Sequence, residues 1–208
     1  ILQHVRRRAN GQVGVDSPAL GVYNAALQIR HLGYGVDPER QAASILQRQG
    51  LAVHLLGKMA DLIACPGAAI EPIVDTPTLM AATRDAYRAM SHGLVAATVQ
   101  ETDLAAHEGD VQRLAAVLGQ VDAGLGALWP DMAPGDALIV CADHGNDPRL
   151  SVGLHTREET PLLLYRAGQP ATPIGVRQTL ADIGATLVHW FQAPPTQDGT
   201  IIDIGRDP

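Results

Sequence analysis

Aromatic side chains are scarce in this chain: one Phe, two Trp and four Tyr stand among 208 residues. No aromatic ladder or basic stripe runs along it, and 22 acidic against 15 basic residues leave a formal charge of −7. That balance argues against nucleic acid as a partner, because a phosphate backbone is held by clustered cations. Only two cysteines are present, Cys65 and Cys141. Cys141 falls in an apolar, strand-like run, so the pair reads as buried free thiols rather than a disulfide, which fits a reducing cytoplasm. Apolar runs never approach the roughly 18 residues that a membrane helix requires, and no charged-then-apolar leader opens the chain. A soluble, cytoplasmic protein without a membrane partner is expected. The first residue is Ile1, and "ILQHVRRRANGQVGVDSP" shows no helix or strand period. The chain is therefore expected to begin inside a larger gene product.

Charge is sparse as well, at 18% of residues, so polar groups beside apolar runs stand out. "VDPERQAASILQRQG" offers Asp37 as an N-cap, Pro38 at the first helical position and Gly50 as a stop. "LAVHLLG" follows as a strand. "DTPTLMAATRDAYRAMSHG" repeats the grammar, with Thr76 as cap, Pro77 as start, Gly93 as stop, and Leu79, Met80, Tyr87 and Met90 on one apolar face. A strand "LVAATVQ" comes next, then a helix within 108–128 that Pro130 ends, then a strand "DALIVCA". "TPLLLY" is a fourth strand and "VRQTLADIGATLVHWFQ" a closing helix. This alternation predicts an α/β fold with a mostly parallel sheet covered on both faces. Texture changes near residue 36, the expected boundary between a lead segment, 1–36, and a core, 37–208.

In open α/β sheets, ligands gather beyond the carboxyl ends of the strands. Lys58 follows the first strand of the core; Glu101, Asp103 and His107 follow the second; Asp143 and His144 follow the third, with His155 in the next loop. An Asp after a strand is more often a turn residue than a ligand, and isolated histidines such as His54, His92 and His189 read as structural or solvated. Convergence of two Asp and three His on one rim is different. Their oxygens and nitrogens suit a divalent ion such as Mn or Zn with no thiolate. Paired ions serve phosphoryl transfer by neutralising phosphate charge and steadying both the entering and the leaving oxygen. Lys58 and Arg30 are candidate phosphate clamps.

"ADHGNDP" followed by "GLHTREETPLLLY" resembles the carboxyl-terminal signature of phosphopentomutases. The likeness extends to "LQRQGLAVHLLGKMADLIACPG", "GDVQRLAAVLGQVDAGLGAL" and "TLADIGATLVHWF". It implies a three-layer α/β/α core of the alkaline phosphatase superfamily, with 1–36 as the end of a cap domain and its hinge. It also implies two divalent metals, Mn first and Zn as the alternative. Asp103, His107 and His155 would hold one, and Asp143 with His144 the other, while Arg30 in "IRHLGYG" and Lys58 in "GKMAD" would contact the phosphate of a sugar-phosphate substrate. The implied activity is an isomerase reaction, intramolecular phosphate transfer through a phosphorylated Ser or Thr, with this fragment inactive alone.

Two features depart from the family. The spacing in "DLAAH" is one residue shorter than the phosphopentomutase form and closer to cofactor-independent phosphoglycerate mutases. The first-strand metal-binding Asp and the phosphorylatable Thr have no counterpart; Asp16 and Ser17 in "GVDSP" imitate such a site only superficially. A phosphatase or phosphodiesterase of the same superfamily, or a non-catalytic metal- or phosphate-binding module, are the rival readings.

Overall fold

The computed structural model describes residues 5–7, 13–15, 36–150, 153–166, 169–170 and 172–203. Two units divide the chain, Ile1–Gly35 and Val36–Pro208. In the first, β1 (Val5–Arg7) and β2 (Val13–Val15) pair antiparallel, Val5 opposite Val15. Asp16, Ser17 and Arg30 lie outside the described residues.

The second unit opens as anticipated, with the Asp37 carboxylate accepting from the Glu39 amide at 3.0 Å ahead of Pro38. The helix expected over 36–50 is nevertheless split into a 3-10 turn, Pro38–Arg40, and α1, Ala42–Arg48, with Gln41 extended between them. A tertiary bond accompanies the break: the Arg40 carbonyl accepts from the Gln197 amide at 3.4 Å. The next long helix, α3, spans Thr76–Ala89. Its cap is Asp75 rather than Thr76, because the Asp75 carboxylate reaches the Thr78 amide at 3.0 Å. Gly93 does not stop this helix either. It begins the following strand, at a close approach where a Cβ would collide with the Ala52 carbonyl.

Three strands form a parallel sheet in the order β4-β3-β5: β3 is Ala52–Gly57, β4 Ala69–Glu71 and β5 Gly93–Thr98. A short α2, Met59–Leu62, lies between β3 and β4. Side chains alternate across a strand, so the two faces of β3 can be read by parity. Val53 and Leu55 pack with Leu94 and Ala96 of β5 against α1 and against Val188 and Phe191, from α6 (Ala181–Trp190) and its cap. Leu56 and Val95 point the other way, onto Leu79 and Ala86 of α3. Behind α3 lies α5, Val111–Leu128, capped by Asp110, and α4, Glu101–Glu108, packs against α5. Helices on both faces of a parallel sheet make the three layers.

The remaining strands, β6 (Ala137–Cys141) and β7 (Leu162–Arg166), pair antiparallel with Ala137 opposite Arg166. They are an exception to the parallel pattern because no crossover helix lies between them among the described residues. Among the described residues β6 has one strand neighbour, β7. Cys141, at the end of β6, is exposed rather than buried, and Cys65 is half-buried; both are free thiols. Asp131 anchors the approach to β6, taking Arg84 Nε at 2.6 Å and Arg88 Nη2 at 3.1 Å, while Tyr87 donates its hydroxyl to Asp136. Among the described residues no helix is long and apolar enough to cross a membrane.

Candidate metal centre

Parallel strands end on one edge, where Gly57 of β3 lies opposite Thr98 of β5. Lys58 follows at that edge as the residue preceding α2, half-buried. Two residues separate β5 from α4, which carries Asp103 and His107 four apart. That spacing puts both on one helical face, with His107 Nε2 3.0 Å from Asp103 Oδ1. The short "DLAAH" interval thus closes a contact within a single turn.

The loop after β6 delivers the other groups. Gly145 and Thr156 form an isolated bridge, the Thr156 amide donating to the Gly145 carbonyl at 2.8 Å. This clasp sets His155 beside His144, their rings stacked at 3.5 Å between centroids and 17° between planes. His155 Nε2 comes within 3.0 Å of His107 Nε2 and 3.4 Å of Asp103 Oδ1, and His144 Nε2 lies 4.0 Å from the same oxygen. Asp103 Oδ1 is the common vertex. Asp143 stands at the margin, its side chain 76% exposed and its Oδ2 3.5 Å from His144 Nε2.

Backbone carbonyls fix the tautomers. His107 Nδ1 meets the Gly153 carbonyl at 2.8 Å. A carbonyl only accepts, so Nδ1 carries the hydrogen and the neutral ring keeps its lone pair on Nε2. His144 Nδ1 does the same, more weakly, to the Gly145 carbonyl at 3.3 Å. Gly153 is itself required here: its φ is 52°, and a Cβ would sit 2.8 Å from the His107 carbonyl oxygen.

One strong anchor holds α4. Glu101 accepts from the Thr76 amide at 2.9 Å, from the Thr76 hydroxyl at 2.8 Å and from Arg113 Nη2 at 3.2 Å. The Thr76 amide and then its hydroxyl hold the Glu101 carboxyl below the usual carboxylate range, with Arg113 adding to the effect. The carboxylate also faces the positive N-terminal end of α3. Thr76 is fully buried, so Glu101→Ala strands its amide and hydroxyl. We expect a loss of about 2–3 kcal/mol in a denaturant melt; a loss near zero would show that the anchor is not needed.

The donor set suits a divalent ion. Ligands about 2.0–2.1 Å from a tetrahedral centre stand about 3.3 Å apart, close to the 3.0, 3.0 and 3.4 Å edges of the His107, His155 and Asp103 triangle. Three nitrogens and a carboxylate oxygen with no thiol suit a hard-to-borderline divalent ion rather than a soft one. Asp103, His144 and His155 form an overlapping triad with ligand atoms within 4.8 Å of one another. His54, His92 and Glu71 are elsewhere: His54 pairs with Glu71 at 2.8 Å, and His92 meets Phe191 edge-on at 5.2 Å. Asn146 was not anticipated. Its Nδ2 donates to Asp103 Oδ1 at 3.1 Å, and nothing in its spacing announces that contact.

Residues 23–195 match the sequence profile of the Metalloenzyme superfamily. The chain belongs to that superfamily. As a metalloenzyme-superfamily chain, it is 34% identical over 173 residues to the phosphopentomutase of Symbiobacterium thermophilum, covering 80% of this chain and 43% of that protein. Its identity to the phosphopentomutase of Aliivibrio fischeri strain MJ11 is 36% over 168 residues, covering 77% and 41%. The chain spans about two fifths of the length of these curated relatives. Among solved structures, phosphoglycerate mutase from Leishmania mexicana, studied at low cobalt concentration, superposes with a TM-score of 0.59 at 18% identity, over 77% of this chain and 38% of that one. The superfamily chain therefore shares that enzyme's alkaline-phosphatase-like fold.

Proposed function

We propose that this chain supplies the metal-holding part of a phosphopentomutase-like isomerase, which moves a phosphoryl group between two oxygens of one sugar phosphate. The observation that carries the reading is the convergence of three imidazole Nε2 atoms on Asp103 Oδ1, all within 4.0 Å. Curated relatives named phosphopentomutase supply the substrate class. Asp103, His107 and His155 would hold one divalent ion, and Asp143 with His144 would contribute to a second, with Mn favoured and Zn the alternative. Bound ions neutralise phosphate charge and lower the cost of bringing an oxygen nucleophile to phosphorus.

The chain's own residues do the rest of the work at this rim. The Gly153 and Gly145 carbonyls hold the hydrogens of His107 and His144 on Nδ1, leaving both Nε2 lone pairs for coordination. Lys58, at the same sheet edge, would carry positive charge to the phosphate, and Arg30 would add a fork that matches two phosphate oxygens. The phosphoryl-accepting hydroxyl has no counterpart in this sequence, so residues 1–36 are read as the end of a cap and hinge, and 37–208 as the carboxyl-terminal part of the core. Two free thiols fit a cytoplasmic setting.

A hydrolase is the second reading, in which His155 and Asp143, 50% and 76% exposed in this chain, stay open to water in the full-length protein. Water reaching the site would compete with return to the sugar. Phosphorus NMR of the full-length protein with Mn and a pentose 1-phosphate separates them. Migration of phosphorus to another oxygen of the same sugar supports the mutase, and release of inorganic phosphate supports the hydrolase. No change in either signal overturns both.

A further inference from the structure

We propose that Asn146 is a positioning residue: its amide holds the Asp103 carboxylate with Oδ1 turned toward the imidazoles of His107, His144 and His155. The inference rests on the metal-site reading above. Asp103 Oδ1 is the shared vertex of the cluster, and a free carboxylate can rotate to present either oxygen. Asn146 Nδ2 donates to this oxygen at 3.1 Å. The opposite amide orientation would press carbonyl oxygen against carboxylate oxygen, so donation is the only favourable arrangement. One lone pair of Oδ1 is thereby engaged and the other is left for the imidazole side.

Asn146 is itself held in place. It follows Gly145, whose carbonyl is clasped by the Thr156 amide and at whose Cα a Cβ would sit 2.5 Å from Glu158 Oε2 and 2.7 Å from Thr156 Oγ1. Its own Oδ1 is buried and has no hydrogen-bond partner among the described residues. Burying an amide oxygen unsatisfied opposes folding, so the residue is not explained by stability alone. The loop keeps an amide there because its other end orients Asp103. Outer partners of this kind tune metal affinity without touching the ion.

The test uses full-length protein, Asn146→Ala and Asn146→Leu, with Co(II) as probe followed by its visible absorption and Mn(II) followed by calorimetry. Both variants should bind about ten- to a hundredfold more weakly, with a changed Co(II) spectrum. Melting of the metal-free proteins in chelator should stay within about 2 °C of wild type. Variants that bind with unchanged affinity and spectrum would overturn the role of Asn146 while leaving the metal centre standing. So would variants that melt far lower without metal, because the role would then be structural. A wild type that binds neither ion would sink the metal-centre reading and, with it, this inference.

Discussion

His155→Ala is expected to weaken binding of Mn or Zn, and to lower phosphoryl-transfer turnover of the full-length protein, by roughly a hundredfold or more, the scale seen when a group that stabilises transition-state charge is removed. His155 contributes both its Nε2 and the packing of its ring to the arrangement. Its Nε2 lies 3.0 Å from His107 Nε2 and 3.4 Å from Asp103 Oδ1, and its ring stacks on His144. Both overlapping triads lose a corner at once. The ring is half exposed, so the metal-free protein should melt close to wild type. The clearest readout is therefore a difference: ion at a hundred times its dissociation constant stabilises a binding protein by about 2.7 kcal/mol, and the variant should lose that gain. Undiminished metal stoichiometry and turnover in His155→Ala would remove the assignment.

Elements announced by local chemistry were legible in the sequence. Asp37-Pro38 and Asp75-Thr76-Pro77 both start helical structure, because a capping carboxylate followed by a preset proline φ fixes the first turn. At 75–76 two capping residues stand side by side, and only the bond to the Thr78 amide decides for Asp75. The split at Gln41 had no local signal: the bond that accompanies it comes from Gln197, far along the chain. Strand β4 has three residues and no period to detect, and it forms by pairing with β3. Cys141 differs from expectation for another reason: an apolar run says that a strand is covered somewhere, not which of its residues is. At the candidate site, residue types and the four-residue Asp103–His107 step were readable. The clasp between Gly145 and Thr156, the glycine at 153 and the donation by Asn146 were not, since each is a contact between loops whose sequences carry no periodicity.

Asp182→Ala should be the most destabilising of the single changes away from the metal centre. Asp182 lies in the first turn of α6 and is almost fully buried, accepting from the Thr200 amide at 2.7 Å and from Arg177 Nε at 2.8 Å. Arg177 in turn donates to the Thr200 carbonyl at 3.2 Å, and Thr186 relays the Ile202 amide to the same helix at 2.9 Å. This network pins residues 200–202, including the buried Ile202, onto α6. Alanine leaves the Thr200 amide and the Arg177 guanidinium without their acceptor, a loss of about 2–3 kcal/mol or about 5–10 °C in melting temperature. The Thr200 amide, and then Arg177, hold the Asp182 carboxyl below the usual carboxylate range. A folded state that binds this proton less readily than the unfolded chain gains stability at pH values above the ordinary carboxylate range of about 4, and loses it as pH falls through the depressed folded value. The gap between wild type and Asp182→Asn should thus be constant from about pH 5 to 8 and narrow below about pH 4. A gap that stays flat down to strongly acid pH would mean that the buried pair is not ionic.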